Sequence, residues 1–504
     1  MAKKIIETPS RSLQEYNIMP GYVPADLTSE SIDLKTPLTR YRKGTQADAL
    51  FLNLPLITAA MQAVTGSRMA IAAAREGGLG AIFCSQTPEQ EANMVRTAKQ
   101  SKAGFVVAEA VSPQAKIKYL LERIKETGYT KFPVTTEGKT NGELLGLITD
   151  NDFDEEMHIN STVAERMVDL SQLSVAYDDE IQGDIKKANR KIREGHHSVL
   201  PVVNRGDNSL KHLVFRKDVI EHEKNFLETL DNEKRYRVGA ALNTRDYSTR
   251  VPLLVDAGAD VLLVDTSQGW TDYQAGALDY IAHEFPGIPF IAGNIVTAEG
   301  FRFLVEKGAH AVKVGMGSGS ICVTLEQIGV GRAQATAVLE VATARDAYFK
   351  ETGIYIPIIS DGGVELPKDI VVALALGADA IMCGKFFAGC TESNTDINYK
   401  HKPPAKPYWG EGSERARNWR AARYDRADSN QYDFEEGVEG WVEFVGPLKD
   451  YLGKSIQVMK DAIRKSGCRN IEELHKKATL ELVSERAKKE GGVHGVIQSA
   501  GTVK

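Results

Sequence analysis

Glu306-Lys307-Gly308-Ala309-His310-Ala311-Val312-Lys313-Val314-Gly315 closes one element and opens another. A polar helix end runs into a glycine suited to a left-handed cap, and a short apolar strand follows that ends on glycine. The same grammar recurs at Arg75–Phe83, Asp256–Asp265 and Ala375–Gly384. Helix into buried strand, repeated, requires a parallel sheet with crossover helices. Eight such strands can be counted: Pro55–Met61, Leu79–Phe83, Val238–Leu242, Val261–Thr266, Pro289–Asn294, Ala311–Gly315, Pro357–Asp361 and Ala380–Gly384. Eight units predict an α/β fold of the (β/α)8 TIM-barrel type, whose sites lie at the C-terminal strand ends. Chemistry-bearing residues fall at those ends: Asp265, Asn294, the glycine loop after Val314, Asp361-Gly362-Gly363 and Gly384. A doubly wound open sheet is the alternative, but it would gather such residues at one switch point.

The remaining composition sets bounds. A chain of 504 residues allows two to four domains. Hydrophobic content of 42% and charged content of 26% suit a globular protein with a large core. A net charge of −6 gives no reason to expect a nucleic-acid surface. The cysteines (Cys84, Cys322, Cys383, Cys390, Cys468) lack paired metal spacing, which predicts reduced thiols and a cytoplasmic location. The lysines at the N-terminus precede no long apolar region, so a signal peptide is not expected. No apolar run approaches the roughly 20 residues that span a bilayer.

The barrel is interrupted. Its first part is residues 1–106 and its second 224–504, with an insert over 107–223. The insert repeats itself. Lys131–Thr135 leads to Leu144–Phe153, and Ser198–Val203 leads to Leu210–Val219. Each copy reads as two strands and then a helix opening at aspartate. This resembles a tandem pair of CBS modules, which implies possible adenine-nucleotide partners. In the second copy Leu213-Val214-Phe215-Arg216-Lys217-Asp218 replaces the Gly-Leu-Ile-Thr type of strand end, so a nucleotide site and a structural spacer stand as equal readings. A polar stretch over about 394–431 has no clear period and reads as a lid or an unstructured loop.

The loop Val314-Gly315-Met316-Gly317-Ser318-Gly319-Ser320-Ile321-Cys322-Val323-Thr324 carries the main chemical signal. Alternating glycines let backbone approach a ligand closely, and a cysteine held there is a candidate nucleophile. An inert cysteine in a glycine-rich turn is the plainer alternative. The full string resembles the active-site loop of the inosine-5′-monophosphate (IMP) dehydrogenase family. That resemblance implies oxidation of IMP to xanthosine 5′-monophosphate with NAD+ and water. The implied steps are attack of Cys322 on purine carbon 2, hydride transfer, and hydrolysis of a thioimidate.

The resemblance also implies roles for other residues. Thr324 assists the water or caps the following helix. Ser320, Gly362, Gly363, Gly384, Lys385 and Tyr408 surround the phosphate, and Asp361 holds the ribose hydroxyls. Gly410-Glu411-Gly412 and Glu436 lie on the substrate side. Asp265, Thr266, Ser267, Asn294, Gly315, Met316 and Gly317 lie on the cofactor side. Gln62 departs from the aspartate of many relatives and receives no role. Arg423-Tyr424 matches a mobile-flap pair that serves hydrolysis, although arginine, with a pKa above ~12, is an unusual base. The carbonyls of Gly317, Gly319 and Cys322, completed by Glu490, Gly491 and Gly492 of a neighbouring subunit, would hold K+ in a homotetramer. Two alternatives remain: a guanosine monophosphate reductase, which typically lacks the insert and the flap pair, and a non-catalytic adenine-nucleotide sensor.

Overall fold

A computed structural model of the chain describes residues 5–46, 49–101, 104–106, 108–127, 130–195, 198–216, 219, 225–423 and 437–492. Eight parallel strands close into a barrel: β1 (Leu56–Thr58), β2 (Leu79–Ile82), β3 (Val238–Leu242), β4 (Val261–Asp265), β5 (Phe290–Ile295), β6 (Ala311–Val314), β7 (Ile358–Asp361) and β8 (Ala380–Cys383). Each pairs with its neighbours in chain order, and β8 pairs with β1 to close the ring. All eight agree with the strands read from sequence to within a few residues at either end. The period of two along each strand sorts its side chains. Ile57, Leu79, Ala241, Leu263, Ile291, Ala311, Ile359 and Met382 fill the interior. Leu262, Val264, Ala292, Val312, Ile358 and Ile381 face outward into the packed helices. Continuing the interior set upward brings Asp265, Gly293, Lys313 and Asp361 to the mouth.

The crossover helices start and stop on sequence signals. The helix after β4 (Asp272–Glu284) is capped by Thr271, whose hydroxyl accepts from Gln274 N. The helix after β7 (Pro367–Ala375) has proline in its first turn, and Asp369 Oδ2 accepts from Glu365 N and Leu366 N at 3.0 and 2.9 Å. Gln14 Nε2 donates to both Gly363 O and Asp369 Oδ2, so the N-terminal segment braces the turn after β7.

The insert forms two three-stranded sheets. One contains Lys131–Thr135, Leu144–Thr149 and Val168–Asp169, and the other Ala176–Tyr177, Val199–Val203 and Leu210–Phe215. Phe105 packs in the core of the second sheet and Val106 bridges Leu213, so this unit draws in residues just before 107. The expected helix at Asp152 is absent, and turns follow Thr149 instead. Asp152 Oδ2 accepts from Thr149 N and Oγ1 at 2.6 and 2.8 Å, and Asp154 Oδ1 accepts from Glu156 N and Met157 N. Side-chain capping of this kind competes with helix formation. The start of the corresponding helix in the second copy, at Lys217 and Asp218, lies outside the described residues.

The stretch over 394–431 is not structureless where it is described. Ala405–Trp409 (β9) pairs antiparallel with Glu439–Glu443 (β10), and a helix spans Glu414–Arg423. The strand pairing bridges about thirty residues of chain, so no local period announces it.

Candidate active site

A cavity of about 660 Å³ opens at the C-terminal mouth of the barrel. Its walls come from the ends of β1, β4, β7 and β8, the Gly317–Thr324 loop, and the turn after β9. This is where a barrel collects residues from separate strands around one ligand.

Cys322 lines the cavity and is half-buried. Its thiol lies 3.1 Å from Thr324 Oγ1, and its N–H donates to Gly319 O at 3.1 Å. Cys322 also bridges Gly437, Val438 N donates to Ile321 O, and Gly410 N donates to Val438 O. The loop is thereby pinned to the strand that returns from the segment over 424–436. Thr324 opens the short helix Thr324–Ile328 as first residue; the cap position is Val323, so its hydroxyl is used by the thiol and not by the helix. Gly315 shows why the loop needs glycine. Its φ is +151°, and a Cβ there would stand 2.2 Å from Asp361 O. The other cysteines differ in setting: Cys383, Cys390 and Cys468 are buried, and burial pushes the thiols of Cys383 and Cys390 well above their usual range.

The expected phosphate residues do gather. Ser320, Gly362, Gly363, Gly384, Lys385 and Tyr408 all line the same cavity. Tyr408 is buried, which pushes its hydroxyl up to about 12, while contacts with Ser320 and the Lys385 backbone N–H pull the other way. A neutral phenol at that depth can donate to a ligand oxygen. Gly363 N donates to Ser318 O at 3.0 Å and ties the turn after β7 to the cysteine loop.

Of the residues expected on the cofactor side, Asp265, Ser267 and Gly317 line the cavity, while Thr266 donates to Gly293 O at 2.9 Å. Met316 bridges Arg332 and supports the loop from behind. Asn294 Nδ2 donates to Asp361 Oδ2 at 3.0 Å. Asn294 Oδ1 is buried with no partner among the described residues, and it fits an amide or hydroxyl donor brought by a cofactor. Lys313, which carries no obvious role in the sequence, reaches both Asp265 and Asp361. The signal that could have found it is a lysine on the interior phase of an otherwise apolar strand.

Gln62 now has a place. Its N–H donates to Glu411 Oε1 at 2.6 Å, its Nε2 donates to Ser85 O, and its Oε1 accepts from Trp409 Nε1 at 2.9 Å. Ser85 also hydrogen-bonds Glu411. These contacts fasten Gly410-Glu411-Gly412 and the end of β9 to β1 and β2. Arg415 stacks over Trp409, 4.0 Å from the ring.

Other expected residues stand apart. Arg423 ends the helix Glu414–Arg423, while Tyr424 and Glu436 lie outside the described residues. Glu490 ends the helix Glu485–Glu490, and Glu490, Gly491 and Gly492 are exposed and do not line this cavity. Gly317, Gly319 and Cys322 share one turn, whose carbonyls are hard donors of the kind a monovalent cation takes.

Comparison with known proteins adds four findings. Residues 11–494 match the family described as IMP dehydrogenase / GMP reductase domain. The chain is 42% identical over 497 residues to inosine-5′-monophosphate dehydrogenase from Tritrichomonas foetus, covering 98% of this chain and 97% of that one. It is 34% identical over 486 residues to the enzyme of the same name from Aquifex aeolicus, covering 95% and 94%. In structure it is similar to a cysteine-to-alanine variant of GMP reductase from Trypanosoma brucei in complex with guanosine 5′-monophosphate, with TM-score 0.75, 27% identity and coverage of 97% and 98%. A reductase of this length shows that size and the presence of an insert do not by themselves separate the two activities.

Proposed function

The chain belongs to the IMP dehydrogenase / GMP reductase family as an IMP dehydrogenase, an NAD-dependent oxidoreductase, and we propose that it works through a covalent bond between Cys322 and purine carbon 2 of IMP. The observation that carries this is the Cys322 thiol facing the mouth cavity with Thr324 Oγ1 3.1 Å away.

The chain's residues divide the work. Tyr408, Ser320 and the glycine turns after β7 and β8 hold the phosphate, and Asp361 accepts from the ribose hydroxyls. Cys322 adds as thiolate to carbon 2, its proton leaving by way of Thr324 or solvent. Bound NAD+ supplies the hydride acceptor for that carbon, and Asp265, Ser267 and Asn294 are the residues that would hold it. Loss of hydride leaves a thioimidate on Cys322. Water then adds at carbon 2 and the carbon–sulfur bond breaks, giving xanthosine 5′-monophosphate and the free thiol. Thr324 is positioned to orient that water. Arg423 and Tyr424 supply the base for it, a role tested by Arg423→Ala, which should give a rapid burst of NADH and then stall.

Three further parts belong to the same proposal. Gly317, Gly319 and Cys322, with Glu490, Gly491 and Gly492 of a neighbouring copy in a homotetramer, would hold K+, which would keep the cysteine loop in shape. The insert of residues 107–223 is a CBS pair, with an adenine-nucleotide site and a structural spacer as equal readings, and the enzyme works in the cytoplasm. Activity is tested by supplying IMP with NAD+ and following near-ultraviolet absorbance, against guanosine monophosphate with NADPH. Turnover only in the second mixture would replace the dehydrogenase by the reductase.

A further inference from the structure

The ends of two strands, β4 and β7, converge on one ammonium. Lys313 on β6 is 2% exposed, and its Nζ lies 2.7 Å from Asp265 Oδ1 and 2.6 Å from Asp361 Oδ2. Asp265 and Asp361 are 29% and 23% exposed, so each carboxylate still faces the cavity. Register makes this possible. Asp265 pairs with Gly293, and Gly293 pairs with Lys313, so the three stand in one row across β4, β5 and β6. The middle position lacks a side chain. A Cβ on Gly293 would lie 2.7 Å from Lys313 Cβ and 2.6 Å from Lys313 O, so glycine leaves the space the lysine stem uses. Asn294 Nδ2 shares Asp361 Oδ2 with the lysine. Burial alone would pull the Lys313 ammonium down, but the two carboxylates outweigh it and hold the group charged.

Asp361 and Asp265 both line the cavity, the first expected on the substrate side and the second on the cofactor side. We propose that Lys313 is a positioning residue that ties Asp361 to Asp265, so the substrate and cofactor subsites share one cation and are set in place together. This rests on the assignment of the cavity to IMP and NAD. Lys313 stands between the two carboxylates and offsets their mutual repulsion. A carboxylate pair that loses its shared cation also loses the charge-assisted contacts that fix its geometry.

The test compares wild type, Lys313→Met and Lys313→Arg by steady-state kinetics, with thermal unfolding as the folding control. Lys313→Met should raise KM for both IMP and NAD by about tenfold, more than it lowers kcat. Lys313→Arg, which keeps a cation able to reach two carboxylates, should bring both KM values most of the way back. If Lys313→Met does not fold, Lys313→Gln replaces it with a neutral side chain of similar length. A KM increase confined to one ligand, unchanged KM values in a folded variant, or no recovery by Lys313→Arg overturns the proposal. Absence of IMP and NAD turnover in the wild type would instead overturn the assignment of the cavity.

Discussion

Cys322 Sγ and Thr324 Oγ1 stand 3.1 Å apart at the mouth of the barrel, two residues apart in the chain. Between them lies the start of a short helix whose cap position is Val323, leaving the threonine hydroxyl for the thiol. A nucleophile and a proton-handling hydroxyl are thus set by one backbone turn. Thr324→Ala should lower kcat by about tenfold to a hundredfold. KM for IMP should change by less than about twofold, because phosphate and ribose contacts lie elsewhere. Steady-state kinetics decide; an unchanged kcat would remove the hydroxyl from the chemistry.

Gln62 joins two elements distant in sequence, β1 and the hairpin that carries Tyr408. Gln62→Ala would leave Trp409 Nε1 and Ser85 O unsatisfied in a buried place. The expected cost is about 1–3 kcal/mol of stability, with a raised KM for IMP as the Gly410–Gly412 turn loosens. Denaturant unfolding and kinetics read both. A variant as stable as wild type with unchanged KM would show that the hairpin is held without it.

The barrel reads clearly in the sequence because its signals are local. A glycine cap and a run of apolar residues fall within ten residues of each other, and Ala311–Val314 is recognisable wherever it packs. The Ala405–Trp409 and Glu439–Glu443 pair is not, since each strand is made by a partner far along the chain. Gln62 and Lys313 escape for a related reason. A glutamine at a strand end and a lysine within a strand both read as solvent-facing until the closed barrel shows what they touch. The cysteine loop stands out because its glycine spacing and its thiol are contiguous. Turns replaced the helix expected at Asp152 because aspartate side chains there satisfy the backbone first.

His310 gives the fold an acid-sensitive point away from the site. It precedes β6, its ring packs edge-on to Phe290 with centroids 4.9 Å apart, and Nδ1 accepts from Phe290 N at 3.3 Å. Burial, with Arg40 nearby, lowers its pKa from 6.5 to about 4. Unfolded histidine therefore binds more protons between those values, so stability falls as pH drops from about 6.5 towards 4. His310→Gln should lose less over that range, by on the order of 2 kcal/mol. Unfolding curves at pH 7 and pH 4.5 test this; equal losses would contradict it.

The insert should be removable. Tyr236 N donates to Ser101 O, and Asn225 Nδ2 donates to Arg75 O, so those residues belong with the barrel. Phe105 and Val106 belong with the insert. Joining Ser101 to Asn225 through a short flexible linker should leave kcat within about threefold of the full chain. An unfolded or inactive product would show that the barrel depends on the insert.

The covalent role of Cys322 is tested most directly by acid-quenching the full chain during turnover of IMP with NAD+, then mapping its cysteine peptides by mass spectrometry. The expected result is the mass of an oxidised purine nucleotide on the Cys322 peptide, absent when NAD+ is omitted and absent from Cys84, Cys383, Cys390 and Cys468. Steady NADH production with no adduct on Cys322, or with the adduct on another cysteine, would contradict it.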